Sequence, residues 1–290
     1  MIVDKTIFTL FKQGSRTYFY SSLFFPTGVR RNVFILYAFV RKADNYVDQI
    51  PQNAKGFYRF VSLFEKGWKG EKTGDIVVDS FIDLAKEFDF EKKWIDAFLT
   101  SMEMDIKDTK YYTLDDTLKY IYGSAEVIGL FMAKVLGLPL QSYKHAQFLG
   151  RSMQYINFIR DIHEDTQLNR LYFPRYELEL FDLQDLSYDT VIRQKNQFTS
   201  FIHKQIERYC GWQAWAELGF HYIPRRYLIP IKTASEMYNW TARKIEHNPY
   251  LIYKVKVKPM ILQIIVQTFT NMLDVIVKKD QEIGCKSSKT

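Results

Sequence analysis

The stretch YAFVRKADNYVDQI, residues 37–50, places polar side chains on one face of an otherwise apolar helix. At spacings of four, three and four residues these side chains lie one above another on an α-helix; they are Tyr37, Arg41, Asp44 and Asp48. Burying ionised groups against apolar neighbours is unfavourable unless the groups are paired or bind a cation, so this face should line a cavity. An ion pair of both aspartates with Arg41 is the alternative to metal binding.

A second polar face of the same kind occurs in GRSMQYINFIRDIHEDTQLNRLYFP, residues 150–174. Its members are three, four and four residues apart; they are Gln154, Asn157, Asp161 and Asp165. Four carboxylates and an amide, without clustered cysteine or histidine, are hard oxygen ligands of the kind that bind Mg²⁺ and leave positions for phosphate oxygens. The two faces together predict a cavity that binds a diphosphate through divalent metal.

Helical periodicity dominates the rest of the chain. Apolar residues recur every three to four positions in six segments: 30–48, 113–138, 142–165, 189–219, 227–247 and 257–278. The chain has 290 residues, 47% of them hydrophobic, and it shows no repeat and no linker. We therefore expect one all-α domain over residues 1–290.

Cysteine usage and apolar run length bear on the compartment. Cys210 and Cys285 are far apart and form no CxxC motif, which favours a reducing cytoplasm. The N-terminus has no secretory signal pattern, and the uncharged run at 259–273 is shorter than a membrane span. These features predict a cytoplasmic protein without a membrane anchor.

All of the net charge of +7 lies in the basic C-terminal region, residues 221–290. That region has 12 Lys or Arg against 5 Asp or Glu, whereas residues 1–220 have 28 of each. The excess could serve nucleic acid, an anionic membrane surface or a phosphorylated substrate, or it could be a solvated face. Nucleic acid leaves the two acidic faces unexplained and repulsive toward phosphate, so we predict no nucleic-acid binding. Peripheral membrane association, a phosphorylated substrate and a solvated face stay open.

Several blocks resemble the squalene and phytoene synthase family, the head-to-head prenyl diphosphate synthases. The blocks are YAFVRKADNYVD, YGSAEVIG and the stretch at 150–174, joined by GSRTYFYSSLFFP near the N-terminus. The C-terminal block YNWTARKIEHNPYLIYKVKVKP resembles the phytoene synthase branch in particular. The resemblance implies the all-α isoprenoid synthase fold, helices around a central cavity, and a place in isoprenoid and carotenoid biosynthesis.

The resemblance also implies site residues. Asp44, Asp48, Asp161 and Asp165 match the two aspartate motifs that hold Mg²⁺, or Mn²⁺ in its place, and Asn157 matches a metal or diphosphate contact. Further positions match residues near the diphosphates; they are Arg16, Tyr37, Arg41, Gln154, Arg170, Tyr172 and Tyr238. Tyr122 matches a cavity tyrosine that orients the leaving group or assists proton removal; ordinary core packing is the alternative for Tyr122 and Tyr238.

Two positions depart from the family pattern. Asn45 stands where the first motif often has a second aspartate, but it lies off the ligand face. Glu126 stands where many members have glycine, and it either alters the metal site or pairs with a basic residue.

The implied reaction is the 1′–1 condensation of two prenyl diphosphates through a cyclopropylcarbinyl diphosphate. The C-terminal block favours phytoene from two geranylgeranyl diphosphates. Squalene or dehydrosqualene from two farnesyl diphosphates is the alternative, and only squalene requires NADPH. A non-catalytic assembly factor of the same fold is the non-enzyme alternative, which the presence of all four aspartates disfavours.

Overall fold

The structure, a computed structural model, describes residues 3–107 and 109–287, with side chains through residue 274. No β-strand occurs in these ranges, which confirms the all-α prediction. Fifteen α-helices are formed: α1 Lys5–Gly14, α2 Arg16–Ser22, α3 Thr27–Asp48, α4 Ala54–Trp68, α5 Ile76–Glu87, α6 Lys92–Ile106, α7 Leu114–Ile121, α8 Val127–Val135, α9 Tyr143–Gln167, α10 Arg175–Leu180, α11 Tyr188–Arg193, α12 Lys195–Glu217, α13 Arg225–His247, α14 Leu251–Lys254 and α15 Ile261–Ser287.

Side-chain caps and turn residues set several helix ends. The carboxylate of Asp75 accepts hydrogen bonds from the backbone amides of Val77 and Val78 at the start of α5. Thr113 and Asp116 form a reciprocal capping box at the start of α7. After α8, Gly137 adopts a φ of +65°, a conformation that favours glycine and turns the chain toward α9.

The helices build two hydrophobic clusters. The first joins α1, α3, α4, α5, α6 and α8, and at its centre the rings of Phe39 and Phe81 stack 3.7 Å apart. The second joins α7, α9, α12 and α13, and in it Phe158 stacks on Tyr172 at 4.3 Å. Since α3 belongs to the first cluster and α9 to the second, the two polar helix faces meet where the clusters adjoin.

The predicted helix at 113–138 is interrupted by a π-helical turn at Tyr122–Glu126, which separates α7 from α8. At Gly129 a Cβ atom would lie 2.1 Å from the carbonyl oxygen of Ala146, so glycine is required for α8 to approach α9 this closely. The predicted segment 189–219 is likewise two helices, which meet at Gln194. Helices α1, α2 and α4 to α6 were not among the predicted segments.

Candidate active site

One large cavity lies between α3 and α9, with α2 and α13 closing its sides. Its volume is about 460 Å³, within the range of about 300 to 1,000 Å³ that is usual for small-molecule sites. Both aspartate pairs line the same end of the cavity, whereas Val33, Leu138 and Ile231 line it elsewhere. The cavity thus combines one polar end with apolar walls, as the two helix faces predicted.

The first aspartate pair faces two arginines. Arg170 donates a hydrogen bond from Nη1 to Oδ1 of Asp48 at 3.0 Å. Arg41 lies farther away, with Nη1 at 3.8 Å from Asp48 Oδ2 and 4.0 Å from Asp44 Oδ2. Burial, together with the neighbouring charge of Asp48, raises the pKa of Asp44 to about 7. Asp44 is therefore a carboxyl group whose ionised form needs a cation closer than Arg41.

The second pair has a closer cation. Arg160 donates two hydrogen bonds to Asp161, from Nε at 2.9 Å and from Nη2 at 2.7 Å, and Lys256 Nζ lies 3.0 Å from Asp161 Oδ1. Burial opposes ionisation of Asp161, but Arg160 and Lys256 outweigh it and hold the pKa of that carboxyl below its usual range. Burial and the charge of Asp161 raise the pKa of Asp165 well above its usual value.

The donor set fits a magnesium ion that is shared with a substrate. Within the described residues no three Asp, Glu, His or Cys side chains converge closely enough to hold an ion by themselves. Mg²⁺ does not require such a cluster, because it is usually bound by one or two carboxylates, water and substrate phosphates. The buried Oδ1 atom of Asn157 has no hydrogen-bond partner, and Asn157 lines the cavity one helical turn before Asp161. Asp44, Asp165 and Asn157 thus all favour a cation.

Most of the residues predicted for the site line this one cavity. They are Arg16, Tyr37, Arg41, Asp44, Asp48, Gln154, Asn157, Asp161, Asp165, Arg170, Tyr172 and Tyr238. Tyr18, Tyr37 and Tyr238 form a ring cluster beside them, with centroids 5.7 to 6.2 Å apart. The structure gives their location, and their individual roles stay predictions.

Tyr122 is the exception, because it lies outside the cavity. It is not among the residues that line the cavity; it packs partly buried against the first cluster, with Lys93 and Glu91 as charged neighbours. Residues two apart on a helix point in nearly opposite directions, so Tyr122 and Tyr120 cannot both face the cavity. Tyr120 is the one that lines it.

Glu126 is not among the residues that line the cavity. Its buried carboxylate accepts a hydrogen bond from Nε of Arg151 at 2.7 Å, and Gln147 approaches at 3.4 Å. Of the two roles that the sequence left open, the structure shows the pairing with a basic residue.

Asp105 is a cavity residue that sequence analysis missed. Its buried carboxylate accepts hydrogen bonds from the hydroxyl groups of Tyr120 at 2.7 Å and Tyr172 at 2.8 Å. Burial raises the pKa of Asp105 to about 6, although Arg170 opposes the shift. The sequence signal for Asp105 was its position on α6, where it continues the apolar face formed by Phe98 and Met102. An acidic residue on an apolar helix face is the pattern that also revealed the aspartate pairs.

No helix in the part of the chain that the structure describes is both long and apolar enough to traverse a lipid bilayer.

An all-α fold with two aspartate pairs at one end of an apolar cavity is the arrangement of a prenyltransferase. Residues 11–261 match the squalene/phytoene synthase family, and the chain belongs to that family. The 15-cis-phytoene synthase of Pantoea ananas is 26% identical over 245 residues, which cover 80% of this chain and 79% of the relative. That of Synechococcus elongatus is 24% identical over 259 residues, 83% of this chain and 82% of the relative.

Solved structures share the fold. A dehydrosqualene synthase superposes with a TM-score of 0.79 at 18% identity, covering 93% of this chain and 95% of its own. Squalene synthase HpnC from Alicyclobacillus acidocaldarius superposes with a TM-score of 0.72 at 19% identity, covering 83% of this chain and 92% of its own. The isoprenoid synthase fold that the sequence motifs implied is thereby confirmed.

Proposed function

We propose that this protein joins two geranylgeranyl diphosphates head to head to form phytoene. The diphosphate of one substrate departs, its C1 bonds to the C2–C3 double bond of the other, and loss of a proton closes the ring to a cyclopropylcarbinyl diphosphate. This intermediate loses the second diphosphate, rearranges and gives up a second proton to form the linear product. The observation that carries the proposal is the meeting of two aspartate pairs, from α3 and α9, at one end of an apolar cavity. The phytoene synthases among its relatives support the choice of product.

The polar end of the cavity suits the departure of diphosphate. Asp44, Asp48, Asp161, Asp165 and Asn157 would hold Mg²⁺, or Mn²⁺ in its place. When bound, the metal supplies positive charge to the diphosphate as its bond to carbon breaks. Because the aspartates are themselves anionic, further cations are needed for diphosphate binding, and four arginines line the cavity: Arg16, Arg41, Arg160 and Arg170.

The walls of the cavity suit the carbocation that remains. A cation in water is captured quickly, so the apolar side chains along α2, α8 and α13 protect it by excluding solvent. The hydroxyl hydrogens of Tyr120 and Tyr172 are directed to Asp105, which turns their oxygen lone pairs toward other partners. Phytoene formation ends with loss of a proton, and a phenol oxygen polarised by a carboxylate is a suitable acceptor.

A competition assay tests this function. The protein is incubated with Mg²⁺ and equal amounts of the C20 and C15 diphosphates, with and without NADPH, and the products are identified. We expect preferential use of the C20 substrate and phytoene formation without NADPH, since specificity is a ratio of kcat/KM values. Preference for C15, or a product that requires NADPH, would assign the protein to the squalene side of the family instead.

The same assay addresses the non-enzyme alternative. An assembly factor of this fold would turn over neither diphosphate at any metal concentration. In that case both substrates would be recovered unchanged.

A further inference from the structure

The outward side of α15 is an unusually apolar surface. Leu262, Val266, Phe269 and Leu273 are 67%, 55%, 55% and 63% exposed. Their spacing of four, three and four residues places them in one row along the helix. Single exposed apolar side chains are common, but a continuous row of them marks a surface that binds something. We name this row the α15 face.

The inward side of α15 packs on the helices that enclose the cavity. Asn271 Nδ2 donates to Thr233 Oγ1 of α13 at 3.1 Å, Ile264 and Thr268 on the same side are fully buried, and α15 also packs against α2. The opposite sides of α2 and α13 line the cavity through Ser22 and Ala234. The α15 face therefore lies one helix layer outside the apolar part of the site.

Basic side chains lie near the α15 face. Arg30 Nη1 donates to the backbone carbonyl of Leu23, itself an exposed apolar residue, at 3.2 Å. Lys254 is exposed just before α15 begins. The acid at its edge, Asp274, is paired with Lys232 at 3.0 Å. Over residues 221–274 there are eight Lys or Arg against three Asp or Glu.

We propose that the α15 face, together with Leu23, lies on a bilayer that contains anionic phospholipid. Apolar side chains enter the acyl boundary while the basic rim contacts the headgroups. The inference rests on the proposed function, because an uncharged C30 or C40 hydrocarbon has to pass from the cavity into lipid. Contact through α15 brings the α2 and α13 walls of the cavity next to the membrane.

Charge distinguishes this occupant from a second copy of the chain. A symmetric dimer built on the α15 face would bring two basic rims together, and like charges across an interface oppose association. An anionic headgroup layer matches the same rim. The dimer is therefore an outcome that the experiment must separate from lipid binding.

Vesicle flotation tests the proposal. The full chain is mixed at low salt with vesicles of phosphatidylglycerol and phosphatidylcholine, or of phosphatidylcholine alone. The test variant carries Leu262→Ser, Val266→Ser and Leu273→Ser. The matched control carries Leu140→Ser, Leu180→Ser and Leu218→Ser, at side chains that are 76%, 67% and 61% exposed elsewhere on the surface. All six positions are exposed, so both variants should fold, and thermal melting verifies this.

We expect the wild type and the control to float with the anionic vesicles, and the test variant to bind them at least about tenfold more weakly. Equal flotation of all three proteins would overturn the proposal. A second pair of results would also overturn the proposal: light scattering shows a dimer that is lost only in the test variant, and the flotation of that variant is unchanged. Flotation needs no turnover, so a protein that binds vesicles through α15 but converts no diphosphate would refute the proposed function and leave the surface assignment standing.

Discussion

The aspartate pairs on α3 and α9 have the same spacing, but different cations face them. On α3, Arg170 bonds Asp48 at 3.0 Å, while Arg41 stays 3.8 to 4.0 Å from the pair. On α9, Arg160 donates two hydrogen bonds to Asp161, and Lys256 adds a third contact at 3.0 Å. One member of each pair is thus held by a close cation, and the other is not.

This difference divides the four carboxylates by task. Asp48 and Asp161 are fixed in position by their cations, whereas Asp44 and Asp165 are half-buried beside like charge and have raised pKa values. We infer that Asp44 and Asp165 gain more from a bound divalent ion than Asp48 and Asp161 do. Helix spacing alone gives all four the same surroundings, so the division comes from tertiary partners.

The largest expected effect comes from breaking either pair. Asp48→Asn and Asp161→Asn should each lower kcat by about a hundredfold or more, because charge stabilisation at a departing group is lost. Turnover of the preferred diphosphate measures this, and thermal melting shows that the fold persists. Asp89→Asn is the matched control, since Asp89 is exposed, pairs with Lys134 and has a φ of +50° that asparagine tolerates. Near-full activity in both test variants would refute the metal-holding role.

Asp105→Asn should have a smaller effect, a decrease in kcat of about tenfold to a hundredfold with little change in KM. The two tyrosine hydroxyl groups donate to different oxygens of Asp105. An amide has one acceptor oxygen and presents its NH₂ group to the other hydroxyl, so either Tyr120 or Tyr172 loses its orientation. A double-variant cycle with Tyr120→Phe measures the coupling. Additive losses in the cycle would show that Asp105 does not act through Tyr120.

The pH dependence of stability sharpens the comparison further. Burial raises the pKa of Asp44 from 3.8 to about 7 and that of Asp105 from 3.8 to about 6. At these two carboxyl groups the folded protein binds more protons than the unfolded chain, so without metal each contributes a loss of stability as pH rises from about 4 to about 7. Melting temperatures across this range measure the slope. The slope should be flatter in Asp44→Asn, and an identical slope would contradict the raised pKa.

Lys256→Gln should have the smallest effect. In the metal-free protein Lys256 occupies a position against Asp161 that a metal ion would compete for, but the lysine is partly exposed and its pair is correspondingly weak. We expect half-maximal activity at up to about threefold less Mg²⁺. Lys254→Gln, two residues away and exposed, is the control. A higher Mg²⁺ requirement in Lys256→Gln alone would show that the lysine assists the site instead of competing for it.

The parts of the site that the sequence predicted are those that depend on one helix. Asp44 with Asp48, and Asp161 with Asp165, share faces because of the 3.6-residue repeat, and a burial argument then puts both faces in a cavity. The prediction that Tyr122 lies in the cavity was wrong because similarity of a block does not show which side of the π-helical turn at Tyr122–Glu126 faces the cavity. Tyr120, two residues away, occupies the cavity.

Asp105 and Lys256 show what local patterns omit. The partners of Asp105 are 15 and 67 residues away in sequence, and Lys256 meets Asp161 from the segment that precedes α15. Such contacts depend on how separate helices pack. Periodicity gives the direction of a side chain from its own helix axis, but it does not identify the residue that stands opposite.

Helices α3 and α9 both end at the polar end of the cavity, at Asp48 and Gln167. The carbonyl groups of a last helical turn carry partial negative charge, so the backbone adds to the negative potential of the four aspartates. Without bound metal, this negative potential offsets part of the attraction between the arginines and a free diphosphate. Metal and diphosphate must then bind cooperatively, and by thermodynamic reciprocity each raises the affinity for the other by the same factor. Titrating either ligand at fixed levels of its partner would measure that factor directly.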